Sequence, residues 1–383
     1  MHGSRAWFAT GIWNKTLTGV DVGGAWQTEG VKVLVAMSGG VDSSVAAALL
    51  MEAGHDVTGA TLKLWGGASD SGCCSVADVD DARRVAQTLG IDHHVFNYTE
   101  EFEHHVVTPF VEGHLAGQSP NPCIECNRHI KFDLLFERAT RLGFDAVATG
   151  HHAQVVARDG HHYLVRGADD QKDQSYVLGY LREEQLAMLL LPIGHLTKSA
   201  VRVEAERVGL RTWDKPDSQD VCFIEASKGR EVFLRARAEL TSAAIVDVLT
   251  GETLGESHAA ELMTVGQRRG VLPGRDGEKR YVSRVDLVSK RVEVGRLEEI
   301  LVTSLSLDGD SLSFTGDALV DGTPVLAQCS AHGRVQLATL RYADHWWLEL
   351  HAPTRPVAAG QSVVMYRVDD PTVVEGAAIV SVS

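Results

Sequence analysis

Among the side chains able to do covalent chemistry, the six cysteines stand out: Cys73, Cys74, Cys123, Cys126, Cys222 and Cys329. Cys126 lies in SPNPCIECNRHIKFD (119–133), just before an apolar stripe (Ile130, Leu134, Leu135, Ala139, Leu142) that predicts a helix from about Asn127 to Leu142. A thiol at a helix N-terminus has a lowered pKa and more thiolate. Cys222 lies far away in DSQDVCFI (217–224). Two thiols brought together from separate segments can form, reduce or exchange a disulfide or persulfide. Cys123, Cys126 and Cys222 together could instead ligate an iron–sulfur cluster with one open position. A structural zinc site usually shows a second CxxC or two spaced histidines, and neither is clear. The adjacent Cys73 and Cys74 diverge, and Cys329 reads as a core or surface residue of a β region.

The second chemical feature is SGGVDSS, Ser38–Ser44. It falls between an apolar β-branched run, Val31–Met37, and a helical stretch, Ser43–Ala53. Glycines admit an anion close to the backbone, and a helix start presents N–H donors and a positive dipole end. Ser38, Ser43 and Ser44 add hydroxyl donors. Asp42 would repel phosphate unless a Mg²⁺ ion bridged them. The Gly-Lys-Ser/Thr ending of a Walker loop is missing. Histidines pair at 93–94, 104–105, 151–152 and 161–162. Neighbours on a strand face opposite ways, so none is read as a paired metal site.

The elements that must position these groups alternate. Strands are expected at 31–37, 57–65, 95–98 and 146–149, and helices at 43–53, 78–89, 102–115 and 127–142, with a Pro-containing loop over 118–126. Such alternation predicts a parallel sheet covered by helices on both faces, with ligands at the carboxyl ends of its strands. A hairpin should turn at Asp159-Gly160, and helices should follow at about 174–190 and 198–208. From 241 the pattern becomes short alternating strands, and from about 301 it is almost wholly β.

Length and composition bound the rest. A chain of 383 residues with 44% apolar and 23% charged residues is globular, with room for two or three domains. No stretch nears the ~20 apolar residues of a membrane-spanning helix. The cysteines are too few for a disulfide framework, and without a secretory signal they read as cytosolic thiols. The net charge of −15 argues against nucleic acid unless basic residues cluster. They do over 268–296, where nine basic residues (Arg268, Arg269, Arg275, Lys279, Arg280, Arg284, Lys290, Arg291, Arg296) face four acidic ones. Residues 1–30 carry no sustained period and are expected to be a disordered upstream extension.

SGGVDSS resembles the PP-loop of the ATP pyrophosphatase superfamily, whose members split ATP between the α- and β-phosphates and use AMP to activate a carbonyl oxygen. The segments 119–133 and 217–224 resemble signatures of the tRNA-specific 2-thiouridylases. So do ATGHHA (148–153), KDQSY (172–176), GQRRG (266–270), RY (341–342) and GQSVVMY (360–366), in order from Val31 almost to the end. The resemblance implies ATP, with Mg²⁺, on Ala36, Met37, Ser38, Gly39, Gly40, Val41, Asp42, Ser43, Leu62 and Gly150. It implies Cys126 as nucleophile and Cys222 as persulfide carrier, with a disulfide between them after turnover. It implies tRNA contacts at His151, Lys172, Asp173, Gln174, Arg341, Tyr342 and Gln361, with Asn121, Pro122 and Cys123 against the target base. Some members carry aspartate at the position of Cys123, so an acid/base role there is in doubt.

The expectation is therefore a cytoplasmic, monomeric, ATP-dependent wobble-uridine 2-thiolating enzyme. Its partners would be tRNA and a persulfide donor, either a cysteine desulfurase or a sulfur relay protein, and no membrane. The expected organisation is an extension (1–30), a Rossmann-like PP-loop domain (31–222), a central mixed or β tRNA-binding domain (223–298) and a C-terminal antiparallel β-barrel (299–383). Two alternatives remain at this point: a PP-loop amide ligase acting on a small molecule, and a non-catalytic RNA-binding protein with a structural metal.

Overall fold

The computed structural model describes residues 30–65, 76–217, 221–225 and 227–381. Residues 1–29 of the expected extension (1–30) and the Cys73-Cys74 pair lie outside the described residues.

The apolar run after Val31 forms β1 (Lys32–Ala36), the central strand of a five-stranded sheet. Its neighbours are β2 (Asp56–Lys63) on one side and β4 (Ala146–Thr149) on the other, both parallel to it. β3 (Asp92–Asn97) continues the sheet beyond β2. Between β1 and β2 runs α1 (Val41–Glu52), and between β2 and β3 runs α2 (Val76–Leu89). One apolar cluster joins Val33, Val35, Val45 and Leu50 to Val85 and Val201. A second covers the opposite side, joining Leu34 and Val147 to Phe102, Ile130 and Leu135. The strands are thus buried on both faces, as expected for a parallel sheet.

Two long helical runs cover that second face. One spans 99–115 and has a π-turn at Glu103–Val107. The other spans 122–141 and is π-helical over Cys126–Leu134. This second run begins at Pro122 rather than near Asn127. Pro122 occupies the first helical turn, where its missing N–H costs nothing, and the Asn121 side chain accepts from the Cys123 N–H at 3.1 Å. Cys126 is therefore one turn inside the helix, and the supposed loop 118–126 ends in a cap. The hairpin is β5 (Ala153–Arg158) and β6 (His161–Arg166). It turns at Asp159-Gly160, with φ of 52° and 85°. The stretch read as one helix over 174–190 is two short helices, Ser175–Leu178 and Glu183–Ala187, followed by β7 (Leu189–Leu190), which pairs with β4 and forms the far edge of the parallel sheet. The next helix is Lys198–Arg207.

Four strands then form a mixed sheet: β8 (Ala243–Asp247), β9 (Thr253–Ser257), β10 (Tyr281–Asp286) and β11 (Arg291–Gly295). β11 and β8 are parallel, and the outer pairings are antiparallel. The remaining strands are β12 (Val302–Leu307), β13 (Ser313–Phe314), β14 (Pro324–Gln328), β15 (Gln336–Tyr342), β16 (Trp346–Thr354), β17 (Ser362–Tyr366) and β18 (Val374–Ile379). They make a seven-stranded antiparallel sheet. Its ends meet: the Asp308 N–H donates to the Ile379 carbonyl and the Ser381 N–H to the Ser306 carbonyl, each at 2.9 Å. The sheet curls on itself around Leu305, Val325, Leu340, Leu348 and Val363.

The KDQSY segment fastens this curled sheet to the hairpin. Tyr176 donates its hydroxyl to the Ser362 carbonyl at 2.9 Å, and Tyr180 to the Ser362 hydroxyl at 3.0 Å. Arg166 reaches Gln328 at 2.7 Å and stacks on Tyr366 with its guanidinium 3.8 Å from the ring centre. No described helix is long and apolar enough to cross a membrane.

Candidate active site

The carboxyl end of β1 delivers the chain into Ser38-Gly39-Gly40, and α1 starts at once with Val41. Gly39 holds φ of +72°, and a Cβ there would lie 2.3 Å from the Asp78 carbonyl oxygen. Gly150, at the carboxyl end of β4, lies so close to α1 that a Cβ would come within 2.5 Å of the Ser43 nitrogen. Gly40, which precedes the helix, has only the Ser38 hydroxyl at 3.5 Å from such a Cβ. The Ser43 hydroxyl accepts from the Ser38 N–H at 3.2 Å, and Ser44 donates to the Gly40 carbonyl at 2.7 Å. The result is a turn held from inside, with the first-turn amides of α1 at its mouth. Met37 and Leu62 are buried beside it, Ala36 is half-buried and Ser38 is exposed.

Charge rings this turn, and sequence reasoning missed most of it. Lys198 places its ammonium 2.7 Å from both Asp42 oxygens and 2.8 Å from Asp217. His152 adds a 3.3 Å contact to Asp42. Burial works against the Asp42 carboxylate, but His152 and Lys198 outweigh it and hold its pKa below the usual range. Lys215 donates to the Gly39 carbonyl at 3.0 Å, to Asp78 at 2.8 Å and to Asp81 at 2.7 Å. Asp217 also receives Lys172 at 2.7 Å and Arg202 at 3.2 Å. These residues come from six separate stretches of chain, so no local motif announces them.

The two cysteine segments meet this end of the sheet. Cys126 is buried, Cys222 is half-buried, and both border the apolar cluster on the second face. Phe223 packs 6.0 Å from Trp65, at the carboxyl end of β2, and 5.7 Å and 5.4 Å from Phe102 and Phe110 (ring centres). Phe132, on the helix that carries Cys126, sits 5.9 Å from His151, which directly follows Gly150. Burial, with smaller effects from Lys131 and His152, pushes the His151 pKa well down. The His151 Nδ1 lies 2.7 Å from the Thr149 hydroxyl.

A cleft of about 1090 Å³ opens beside the cysteine segments. Asn121, Pro122 and Val221 form one wall, Thr264 and Val265 from the mixed-sheet region another, and Ser330, Arg334, Arg355 and Gln361 from the curled sheet the third. Gln361 donates its side-chain amide to the Ser119 carbonyl. Cys123 is exposed nearby on the first helical turn.

Other expected positions make contacts within the chain. Asp173 spends its carboxylate internally, accepting from Arg166 at 2.8 Å, Gly167 N–H at 2.9 Å and Ser175 N–H at 3.0 Å. Gln174 accepts from the His152 N–H at 2.9 Å. Arg341 pairs with Glu349 at 2.8 Å on the outer hairpin of the curled sheet, beside the half-exposed Tyr342. The basic run over 268–296 is weaker than its count suggests. Arg280 is buried on Asp247 at 2.7 Å, and Arg275 and Arg296 pair with Glu252 and Asp276. Arg268, Arg269, Lys279 and Lys290 remain exposed. Among the described residues no three His, Cys, Asp or Glu side chains converge on a metal-sized space.

Comparison with known proteins identifies the family. The family model described as tRNA methyl transferase HUP domain matches residues 31–226. The tRNA-specific 2-thiouridylase MnmA of Mycolicibacterium vanbaalenii is 44% identical over 362 residues, covering 92% of this chain and 99% of that protein. The protein of the same name from Salinispora tropica is 45% identical over 349 residues, covering 89% of this chain and 96% of that one. A solved NMN synthetase from Francisella tularensis is far more remote, at 21% identity and TM-score 0.33 over 49% of this chain and 66% of that chain. Nearly full-length identity at this level shows that the chain belongs to the tRNA-specific 2-thiouridylase MnmA family.

Proposed function

We propose that this enzyme 2-thiolates the wobble uridine of tRNA at the expense of ATP. The observation that carries the reading is the convergence of three features on the carboxyl end of one parallel sheet: the glycine turn at 38–40, the Cys126 helix and the Cys222 segment. ATP lies with its phosphates on the first-turn amides of α1, and Lys198 and Lys215 supply positive charge beside them. Asp42 already holds Lys198, so Mg²⁺ arrives with the nucleotide and is carried chiefly by its phosphates.

The chemistry then runs in two stages. The uracil oxygen at carbon 2 attacks the α-phosphorus and pyrophosphate leaves, which turns a poor leaving group into AMP. The terminal sulfur of a Cys222 persulfide attacks carbon 2 and AMP departs. Cys126 thiolate attacks the inner sulfur of Cys222, releasing 2-thiouridine and leaving a Cys126–Cys222 disulfide. A cellular thiol reduces that disulfide, and a persulfide donor reloads Cys222.

The target base has to leave its stack to be reached. The cleft bounded by Asn121, Pro122, Val221 and Gln361 is the space that supports such a pocket, and Arg334 and Arg355 on its rim suit RNA phosphates. Exposed Arg268, Arg269 and Lys279 extend that surface, with Arg341 and Tyr342 on the outer hairpin. The test is direct. Protein, unmodified tRNA, Mg-ATP and a persulfide donor (a cysteine desulfurase with free cysteine) are incubated, and the nucleosides are analysed by mass. The reading requires 2-thiouridine that depends on ATP; its absence, or equal yield without ATP, overturns it.

A further inference from the structure

The cleft beside the cysteine segments differs in charge from the rest of the molecule. The chain carries 51 acidic residues against 36 lysines and arginines. Yet no described Asp or Glu lines this cleft, while Arg230, Arg334 and Arg355 do. Arg230 belongs to the helix Gly229–Arg235, Arg334 to the connection between β14 and β15, and Arg355 directly follows β16. All three are exposed, and none pairs with a described carboxylate. Arginines elsewhere on the surface do: Arg275 holds Glu252, Arg291 holds Glu293, Arg296 holds Asp276 and Arg341 holds Glu349. Arg355 also sets its guanidinium 5.1 Å from the ring centre of Tyr281, so the mixed sheet steadies an arginine of the curled one.

A guanidinium fork that keeps no carboxylate is matched to phosphate oxygens, which it can take two at a time. At about 1090 Å³ the cleft is larger than the roughly 300–1,000 Å³ of a small-molecule site, and its arginines come from separate elements rather than from one loop. Both features favour a run of phosphates over a single one. We propose that Arg230, Arg334 and Arg355 act together as the grip on the RNA phosphodiester backbone around the target uridine. Arg230 supplies a contact from the stretch that follows Cys222, so one RNA strand bridges that stretch and the curled sheet. This deepens the proposed function and rests on its reading of the substrate as tRNA.

The test measures the affinity of the full chain for an unmodified tRNA transcript at a series of salt concentrations. A phosphate contact in a single-stranded loop contributes about 0.7 to the slope of log affinity against log salt. Arg230→Gln, Arg334→Gln and Arg355→Gln should each reduce the slope by about 0.7 and weaken binding about tenfold at low salt. The triple variant should reduce the slope by about 2. Arg230→Lys keeps the charge and should keep the slope, a rescue that a merely structural role for the guanidinium would not give. Arg141→Gln removes one exposed charge, paired with Glu137, and controls for net charge; it should bind like the wild type. Cleft variants that keep the slope of Arg141→Gln overturn the proposal, and 2-thiouridine formed by the wild type would then leave the functional reading standing. Cleft variants that lose slope while the wild type forms no 2-thiouridine uphold the grip and defeat that reading. A wild type that binds no tRNA overturns both.

Discussion

Three glycines around the turn at 38–40 separate folding from anion binding, because an added methyl meets something different at each. At Gly39, alanine must adopt a left-handed φ of +72° and place its methyl 2.3 Å from a backbone carbonyl oxygen. The backbone conformation costs about 1–2 kcal/mol and the clash about 1–3 kcal/mol more. Gly39→Ala should therefore destabilise the protein by about 2–5 kcal/mol. At Gly150 the φ is ordinary, but the methyl would lie 2.5 Å from the Ser43 nitrogen, and helix backbone cannot swing aside as a side chain can. Overpacking alone predicts a loss of about 1–3 kcal/mol. At Gly40 the nearest atom is a serine hydroxyl at 3.5 Å, an ordinary contact. Gly40→Ala should leave stability within about 0.5 kcal/mol, since the gain in chain stiffness offsets a poorer helix cap. Its methyl nevertheless enters the space where a phosphate would approach the first-turn amides. Losing one charge-assisted hydrogen bond weakens ATP binding by about ten- to a hundredfold. Urea unfolding and calorimetric ATP titration of the three variants make the assay. A Gly40→Ala protein that binds ATP like the wild type would refute the phosphate cradle. Undiminished stability of Gly39→Ala would refute the turn geometry.

Two further predictions concern side chains away from the turn. His129 lies between Asp133 and Glu125, and hydrogen bonds to these carboxylates raise its pKa from 6.5 to about 9. A raised histidine pKa means stabilisation that is complete below pH 6.5 and lost as pH rises through about 9. Unfolding experiments across that window should show a decline of about 1–2 kcal/mol that His129→Gln abolishes. Arg280→Met would leave the Asp247 carboxylate buried without its cation, at a cost of about 3–5 kcal/mol, and adding Asp247→Asn should recover part of it in urea unfolding.

Legibility followed how local each signal is. β1 and the glycine turn could be read because a β-branched run ending in Gly-Gly is a complete local signal, and Asp159-Gly160 marked its hairpin for the same reason. The 122–141 helix was misjudged at its start, since Pro122 suits a loop and a first helical turn equally well. Leu189–Leu190 passed as helix because a two-residue strand has no period, and pairing with β4 alone makes it one. The expectation that Cys126 borders a helix N-terminus failed by a single turn for the Pro122 reason. The cage of Lys172, Lys198, Arg202 and Asp217 has no sequence signature, because tertiary folding alone brings these charges together. Within the basic run over 268–296, counting charges cannot see that Arg280 points inward to Asp247 while Arg268, Arg269 and Lys279 stay exposed.

The account's central claim is that Cys126 and Cys222 act on one sulfur atom over one nucleotide site. A single turnover with unmodified tRNA, Mg-ATP and protein preloaded with persulfide, quenched by alkylation, reads it directly by peptide and nucleoside mass. The prediction is one Cys126–Cys222 disulfide-linked peptide pair for each 2-thiouridine formed, and neither product from Cys126→Ser or Cys222→Ser although both still bind ATP. Thiouridine accumulating without that disulfide, or from either serine variant, would contradict it.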